Sequence, residues 1–180
     1  TLAFSTIANN DKVGVIFFSD KIEKYIPAQK GKTHVLHIIR ELLSFEPNSK
    51  GTDMAQALQY FANAQKRHCT AFLISDFIGA GAVDKPLLIA SNRHEVNAIQ
   101  IYDRREAELP NIGLVKFHDA ESDKDLWIDT SLATVRDDYA QAWKQNQDLL
   151  EQLFTRTGVN HISVRTDEDY VKALMHLFRC

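Results

Sequence analysis

The chain reads as an α/β protein: a mostly parallel sheet with helices on both faces. Two apolar runs carry that reading. Thr70-Ala-Phe-Leu-Ile-Ser75 ends abruptly at Asp76, and Val96-Asn-Ala-Ile-Gln-Ile-Tyr102 ends at Asp103. Nearly continuous apolar runs bounded by turn residues suit strands buried on both faces, as in the middle of a parallel sheet. The third observation is that segments of helical period alternate with these runs, which is the order of an α/β sandwich. Ligands of open α/β sheets bind at the carboxyl ends of the strands, so Asp76 becomes the focal residue.

Composition narrows the class. At 180 residues the chain is long enough for one domain with a sizeable core, expected here over 1–180. Its 44% hydrophobic and 25% charged residues are ordinary for a globular protein. The 21 basic and 24 acidic residues are interleaved, for a formal charge of -3, which provides no basic face for a nucleic acid. No apolar run approaches the length of a membrane span, and the opening residues do not read as a signal peptide. Two cysteines, Cys69 and Cys180, make no disulfide framework, so a cytoplasmic location is expected.

Taken in order, Leu2, Phe4, Ile7 and Ala8 look like the end of an amphipathic helix stopped by Asn9-Asn10. Val13–Phe18 is β-branched and aromatic, hence a strand. Ile22–Ile26 alternates and is expected to stop at Pro27. The short link Ser19-Asp20-Lys21 makes the two a hairpin. Thr33 is the expected N-cap of a helix over His34–Phe45, and a second helix runs from Asp53 to Lys66. After the strand ending at Asp76 comes a helix over Val83–Asn92 with Pro86 in its first turn. Beyond Asp103, Leu114–His118 and Leu126–Thr130 flank a charged turn and read as a hairpin added to the sheet. A long helix spans Asp137–Arg156 and stops at Gly158. His161–Arg165 is the last strand and Asp169–Phe178 the last helix, with Val171, Leu174 and Phe178 inward.

The residues with chemistry to offer are oxygen donors at strand ends. Thr52 and Asp53 enter a helix, and Ser75 and Asp76 close a strand. Mg²⁺ takes a few hard oxygens and keeps waters for the rest, so such loops suit it. The competing reading is structural: Asp53 with Gln56 has capping-box spacing, and Asp76 can satisfy loop amides. Gly79-Ala-Gly81 lacks the third glycine of a dinucleotide fingerprint. His34 and His37 are expected on the solvated surface. No nucleophile elbow, Walker loop or Cys-x-x-Cys pair is present.

Four segments together resemble the bacterial domain-of-unknown-function family 58, of the von Willebrand factor A-like group. They are Asn9–Asp20, Lys50-Gly-Thr-Asp53, Phe72-Leu-Ile-Ser-Asp-Phe77 and Leu109-Pro-Asn-Ile-Gly-Leu-Val115. The resemblance implies a three-layer Rossmann-like sheet and a metal-ion-dependent adhesion site, with Thr52 and Asp76 as metal ligands. Ser75, Asp53 and Phe77 would then border the partner-binding surface. The group's first motif, Asp-x-Ser-x-Ser, is absent, because its strand would lie upstream of Thr1. Mg²⁺ is therefore expected in a longer chain and not in this one, and the open strand edge is expected to make the chain self-associate. The implied function is a protein-interaction module, working beside a MoxR-type AAA+ ATPase rather than as an enzyme. The alternative is a metal-dependent phosphoester hydrolase using Asp76. Phe77-Ile78 after that residue leaves no Asp-x-Asp pair for it.

Overall fold

The computed structural model describes residues 1–49, 51–79, 82–119 and 124–177. The expected turn within 119–125 and the expected inward Phe178 fall partly or wholly outside them. The chain divides into two compact units, Thr1–Ala64 and Gln65–Cys180.

In the first unit, α1 (Leu2–Ala8) ends at Asn9 as the sequence indicates. β1 (Val13–Phe18) and β2 (Ile22–Gln29) pair antiparallel, joined by the expected short link. Pro27 does not stop β2. The pairing jumps from Val15↔Ile26 to Val13↔Gln29, leaving one extra residue on β2. Proline lacks a donor, and such a bulge is where a strand tolerates it. Gly14 lies opposite, where a Cβ would come within 2.8 Å of both the Ala28 nitrogen and the Ile26 oxygen. The bulge therefore requires glycine across from it.

α2 (Lys32–Ser44) starts before Thr33, so that residue is inside the helix and not its cap. Gly31 occupies the N-cap position at φ 103°, a conformation open to glycine at little cost. Val35 and Ile38 face inward, and Ile38 joins Phe17 and Ile26 in a small core, where the Phe17 and Phe45 rings stack at 4.9 Å. His34 is not merely solvated: its Nε2 lies 2.8 Å from the Val13 carbonyl oxygen and fastens α2 to β1. α3 (Met54–Ala64) buries Met54, Ala57, Leu58 and Ala62.

The second unit is built on a parallel sheet ordered β3-β4-β7, with β3 at Thr70–Ser75, β4 at Glu95–Tyr102 and β7 at Asn160–Arg165. β4 is the central strand. Its consecutive residues Val96, Asn97, Ala98, Ile99 and Gln100 are all buried, so both of its faces are covered. The expectation for β3 is overturned: it is an outer strand of this sheet, its residues are mostly half-buried, and Ile74 is 49% exposed.

Helices α4 (Asp84–Ser91), α6 (Ala133–Thr157) and α7 (Tyr170–Leu177) flank the sheet. Leu87 and Ala90 of α4 and Leu150, Leu153 and Phe154 of α6 are buried. Gly158 ends α6 in the left-handed conformation at φ 65°, as its position indicates, and the Val159 N–H returns to the Phe154 carbonyl. Val171 is exposed, contrary to expectation, while Leu174 and Leu177 are buried. A short α5 (Arg104–Ala107) follows β4, held by a capping box between Asp103 and Glu106.

Among the described residues, the remaining strands, β5 (Leu114–Asp119) and β6 (Lys124–Asp129), pair only with each other. The hairpin is thus present but is not an added edge of the parallel sheet. Thr130, fully buried, closes its base: Oγ1 donates to the Gly113 carbonyl at 2.7 Å and accepts from the Ile112 N–H at 3.1 Å.

Candidate functional site

The oxygen donors singled out by the sequence divide between the units. Thr52 and Asp53 belong to the first, Ser75, Asp76 and Phe77 to the second.

In the first unit the hairpin link supports the loop that enters α3. Ser19 is buried, its carbonyl accepts from the Asp53 N–H at 2.8 Å, and its hydroxyl donates to Glu23 Oε1 at 2.8 Å. Asn48 donates to the other Glu23 oxygen at 2.8 Å. The Asn48 amide, ahead of Ser19, holds the Glu23 carboxyl below its usual range. Gly51 passes so close to Asp20 that a Cβ would lie 3.4 Å from that side chain. This places Thr52 and Asp53 on an exposed, fastened turn. Asp53 caps α3: its Oδ1 accepts the Gln56 N–H at 2.9 Å. The reciprocal half of a capping box is lacking, because the Asp53 N–H goes to Ser19.

In the second unit, the chain leaves β3 through a tight turn. Ser75 Oγ accepts the Phe77 N–H at 3.1 Å, and Asp76 Oδ1 accepts the Ile78 N–H at 3.1 Å. Both side chains thus hold the turn from their own positions. From the central strand, Gln100 donates to the Asp76 carbonyl at 3.3 Å, and Ser163 on β7 donates to Gln100 Oε1 at 2.8 Å. Phe77 takes φ 58° while buried to 2% exposure, with its ring edge-on to Phe154 at 5.3 Å. A bulky residue in the left-handed region is strained by about 1–3 kcal/mol and persists only where its surroundings impose it. Here the phenyl anchor imposes it. Phe77, expected at the border of a partner-binding surface, is buried and supports the turn from beneath. Asp76 itself is exposed between the exposed Ile74 and Ile78.

Sequence reasoning missed Gln100. Its signal was that it is one of two amides, with Asn97, in an otherwise largely apolar run. Cys69 is half-buried, and burial pushes its thiol pKa up, so it is less ionised than a free cysteine. Among the described residues, no three His, Cys, Asp or Glu side chains are grouped to hold a metal, and no helix is long and apolar enough to cross a membrane.

These features define an α/β protein with a parallel sheet and a fastened acidic turn at the carboxyl end of a strand. The family model described as "Protein of unknown function DUF58" matches residues 1–149, and the chain belongs to that bacterial family. An uncharacterized protein of Mycobacterium tuberculosis is 29% identical over 174 residues, covering 94% of this chain and 54% of that relative. The chain thus spans about half the length of that protein. An uncharacterized protein of Mycobacterium avium is 30% identical over 158 residues, 86% of this chain and 92% of the relative. Among solved structures, the conserved hypothetical protein BatB from Bacteroides thetaiotaomicron aligns with a TM-score of 0.55 at 16% identity, over 98% of this chain and 82% of that one. An aerotolerance-related membrane protein from Bacteroides fragilis aligns at 0.59 and 15% identity, over 99% and 86%. At such identities the likeness is one of fold.

Proposed function

We propose that the chain is a cytoplasmic protein-interaction module of von Willebrand factor A-like type, which recognises its partner with the turn around Asp76. The observation that supports this is an exposed carboxylate on a turn fastened from beneath by Ser75, Phe77 and Gln100. A preorganised group loses little conformational freedom on binding. Ile74 and Ile78, 49% and 52% exposed, supply apolar surface beside the charge. That combination suits a partner offering a cation rimmed by apolar atoms. The MoxR-type AAA+ ATPase that the family resemblance implies is the partner to test.

Mg²⁺ is a proposal for a longer chain only. Asp76 Oδ1 is already engaged by the Ile78 N–H, and a threonine hydroxyl with one aspartate is a thin oxygen set for this ion. We assign no metal-dependent step to these residues.

Calorimetric titration of the chain with a purified MoxR-type ATPase, in Mg²⁺ and in EDTA, tests the reading. Asp76→Asn keeps an acceptor for the Ile78 N–H and removes the charge. It is expected to weaken binding about tenfold, the equivalent of about 1.4 kcal/mol, and Ile78→Glu similarly. Equal binding by wild type and both variants would remove Asp76 from the interface. No binding at all would remove the named partner.

A further inference from the structure

We propose that Cys69 and His94, paired at the amino ends of β3 and β4, form a binding site for a soft monovalent metal ion of the cuprous class. This site is independent of the recognition turn, which lies at the opposite end of β3. Cys69 precedes Thr70, His94 precedes Glu95, and Thr70 and Glu95 are partners in the parallel register. The register thus sets the thiol and the imidazole side by side on adjacent strands. Cys69 Sγ lies 3.7 Å from His94 Nδ1. Both backbones are fastened: the Cys69 carbonyl accepts from the Glu95 N–H at 3.0 Å, and the His94 N–H donates to the Ala90 carbonyl at 2.9 Å. His94 is 4% exposed and Cys69 is half-buried, so the two donors are held in place and partly desolvated.

The separation is that of two ligands on one ion. Metal–sulfur and metal–nitrogen bonds of about 2.3 and about 2.0 Å, the lengths found with zinc, set the two atoms about 3.5 Å apart at a tetrahedral angle and about 4.3 Å apart in a line. The observed 3.7 Å falls between those limits. In the Nε2–H tautomer the thiol proton points at the Nδ1 lone pair, and an ion taking that proton's place meets both donors. Binding breaks the S–H bond, leaves its electron pair on sulfur to form the metal–sulfur bond, and releases the proton to solvent. No electron is transferred. Thiolate and imidazole together favour copper(I) over hard cations such as Mg²⁺. Structural zinc takes four protein ligands, and among the described residues no three His, Cys, Asp or Glu side chains are grouped for it. Copper(I), soft and monovalent, accepts fewer. His68, exposed and with its ring centred 6.4 Å from that of His94, is the candidate third donor.

Anaerobic titration of the whole chain with copper(I) buffered by bicinchoninate is the test, because loss of the chelator's colour reports transfer to the protein. One ion per chain is expected to transfer. Cys180 is the other thiol and serves as the control. Cys180→Ser is expected to bind like wild type, while the nearly isosteric Cys69→Ser loses the site. His94→Gln is expected to weaken binding by more than the roughly tenfold that loss of an outer-shell group costs. Silver(I), a redox-inert ion of the same class, adds a readout free of substitutions. In NMR it is expected to shift the ring signals of His94 and to leave those of His161 in place. No transfer at all overturns the inference. So does transfer abolished by Cys180→Ser, transfer to Cys69→Ser at wild-type strength, or silver binding that leaves the His94 ring signals unmoved.

Discussion

Phe77 offers an inversion of the usual order of small residues. Its phenyl ring is buried to 2% and meets Phe154 edge-on, yet its backbone sits at φ 58°. Truncation to alanine removes the ring and leaves the strained backbone, at a cost of about 3–5 kcal/mol for a buried phenylalanine. Glycine removes the ring as well but adopts positive φ freely. An L residue in this region costs about 1–2 kcal/mol, whereas the extra freedom of unfolded glycine costs about 0.5–1 kcal/mol. Phe77→Gly should therefore be more stable than Phe77→Ala by about 0.5–1 kcal/mol, although glycine is normally the worse of the two. With a urea slope of about 2 kcal/mol per molar, the midpoints separate by about 0.25–0.5 M. Equilibrium urea unfolding followed by fluorescence measures this directly. If the alanine variant equals or exceeds the glycine variant at matched slopes, the anchor-and-strain account of this turn is wrong.

Other outcomes follow from close approaches and caps. Gly14→Ala pushes a methyl against the β2 backbone at the Pro27 bulge and should cost about 1–3 kcal/mol, read as a lower thermal midpoint. Asp53→Ala removes the acceptor of the Gln56 N–H and should cost about 1 kcal/mol, with Asp53→Ser recovering most of it. Asp125 is held below the ordinary aspartate range by Lys116 at 2.6 Å, and secondarily by His118. A depressed carboxylate stabilises above its unfolded pKa, and that contribution fades as pH falls through the folded value. Lys116→Ala should move the Asp125 titration upward in an NMR titration, while an unchanged midpoint would dismiss the pair.

Features set by neighbours in sequence were the legible ones. The stop at Gly158 and the cap at Asp53 depend on a few adjacent residues, and both stand where the spacing places them. Asp76 at the end of β3 was legible for the same reason. An apolar run reports burial, not how many strands lie beside it, so the outer position of β3 was hidden. Pro27 was misjudged because its tolerance comes from Gly14 on another strand. The left-handed Phe77 had no local sign either, since the glycines lie at 79 and 81 while the phenyl's binding place is made by α6. The capping box of Asp103 and Glu106 was written in the sequence and overlooked, and with it the short α5.

The buried amides of β4 bear on the fidelity of folding. Asn97 stands directly across from Asn160 and bonds it at 3.4 Å, and Gln100 stands across from Ser163. An all-apolar parallel ladder slips by two residues at small cost, because every side chain keeps its face. Here such a slip of β7 sets Asn97 against Ile162 and Gln100 against Arg165. Each displaced amide is then buried without its partner, at about 1–3 kcal/mol apiece. The two polar rungs act as alignment pins, so that only one pairing of β4 with β7 satisfies both.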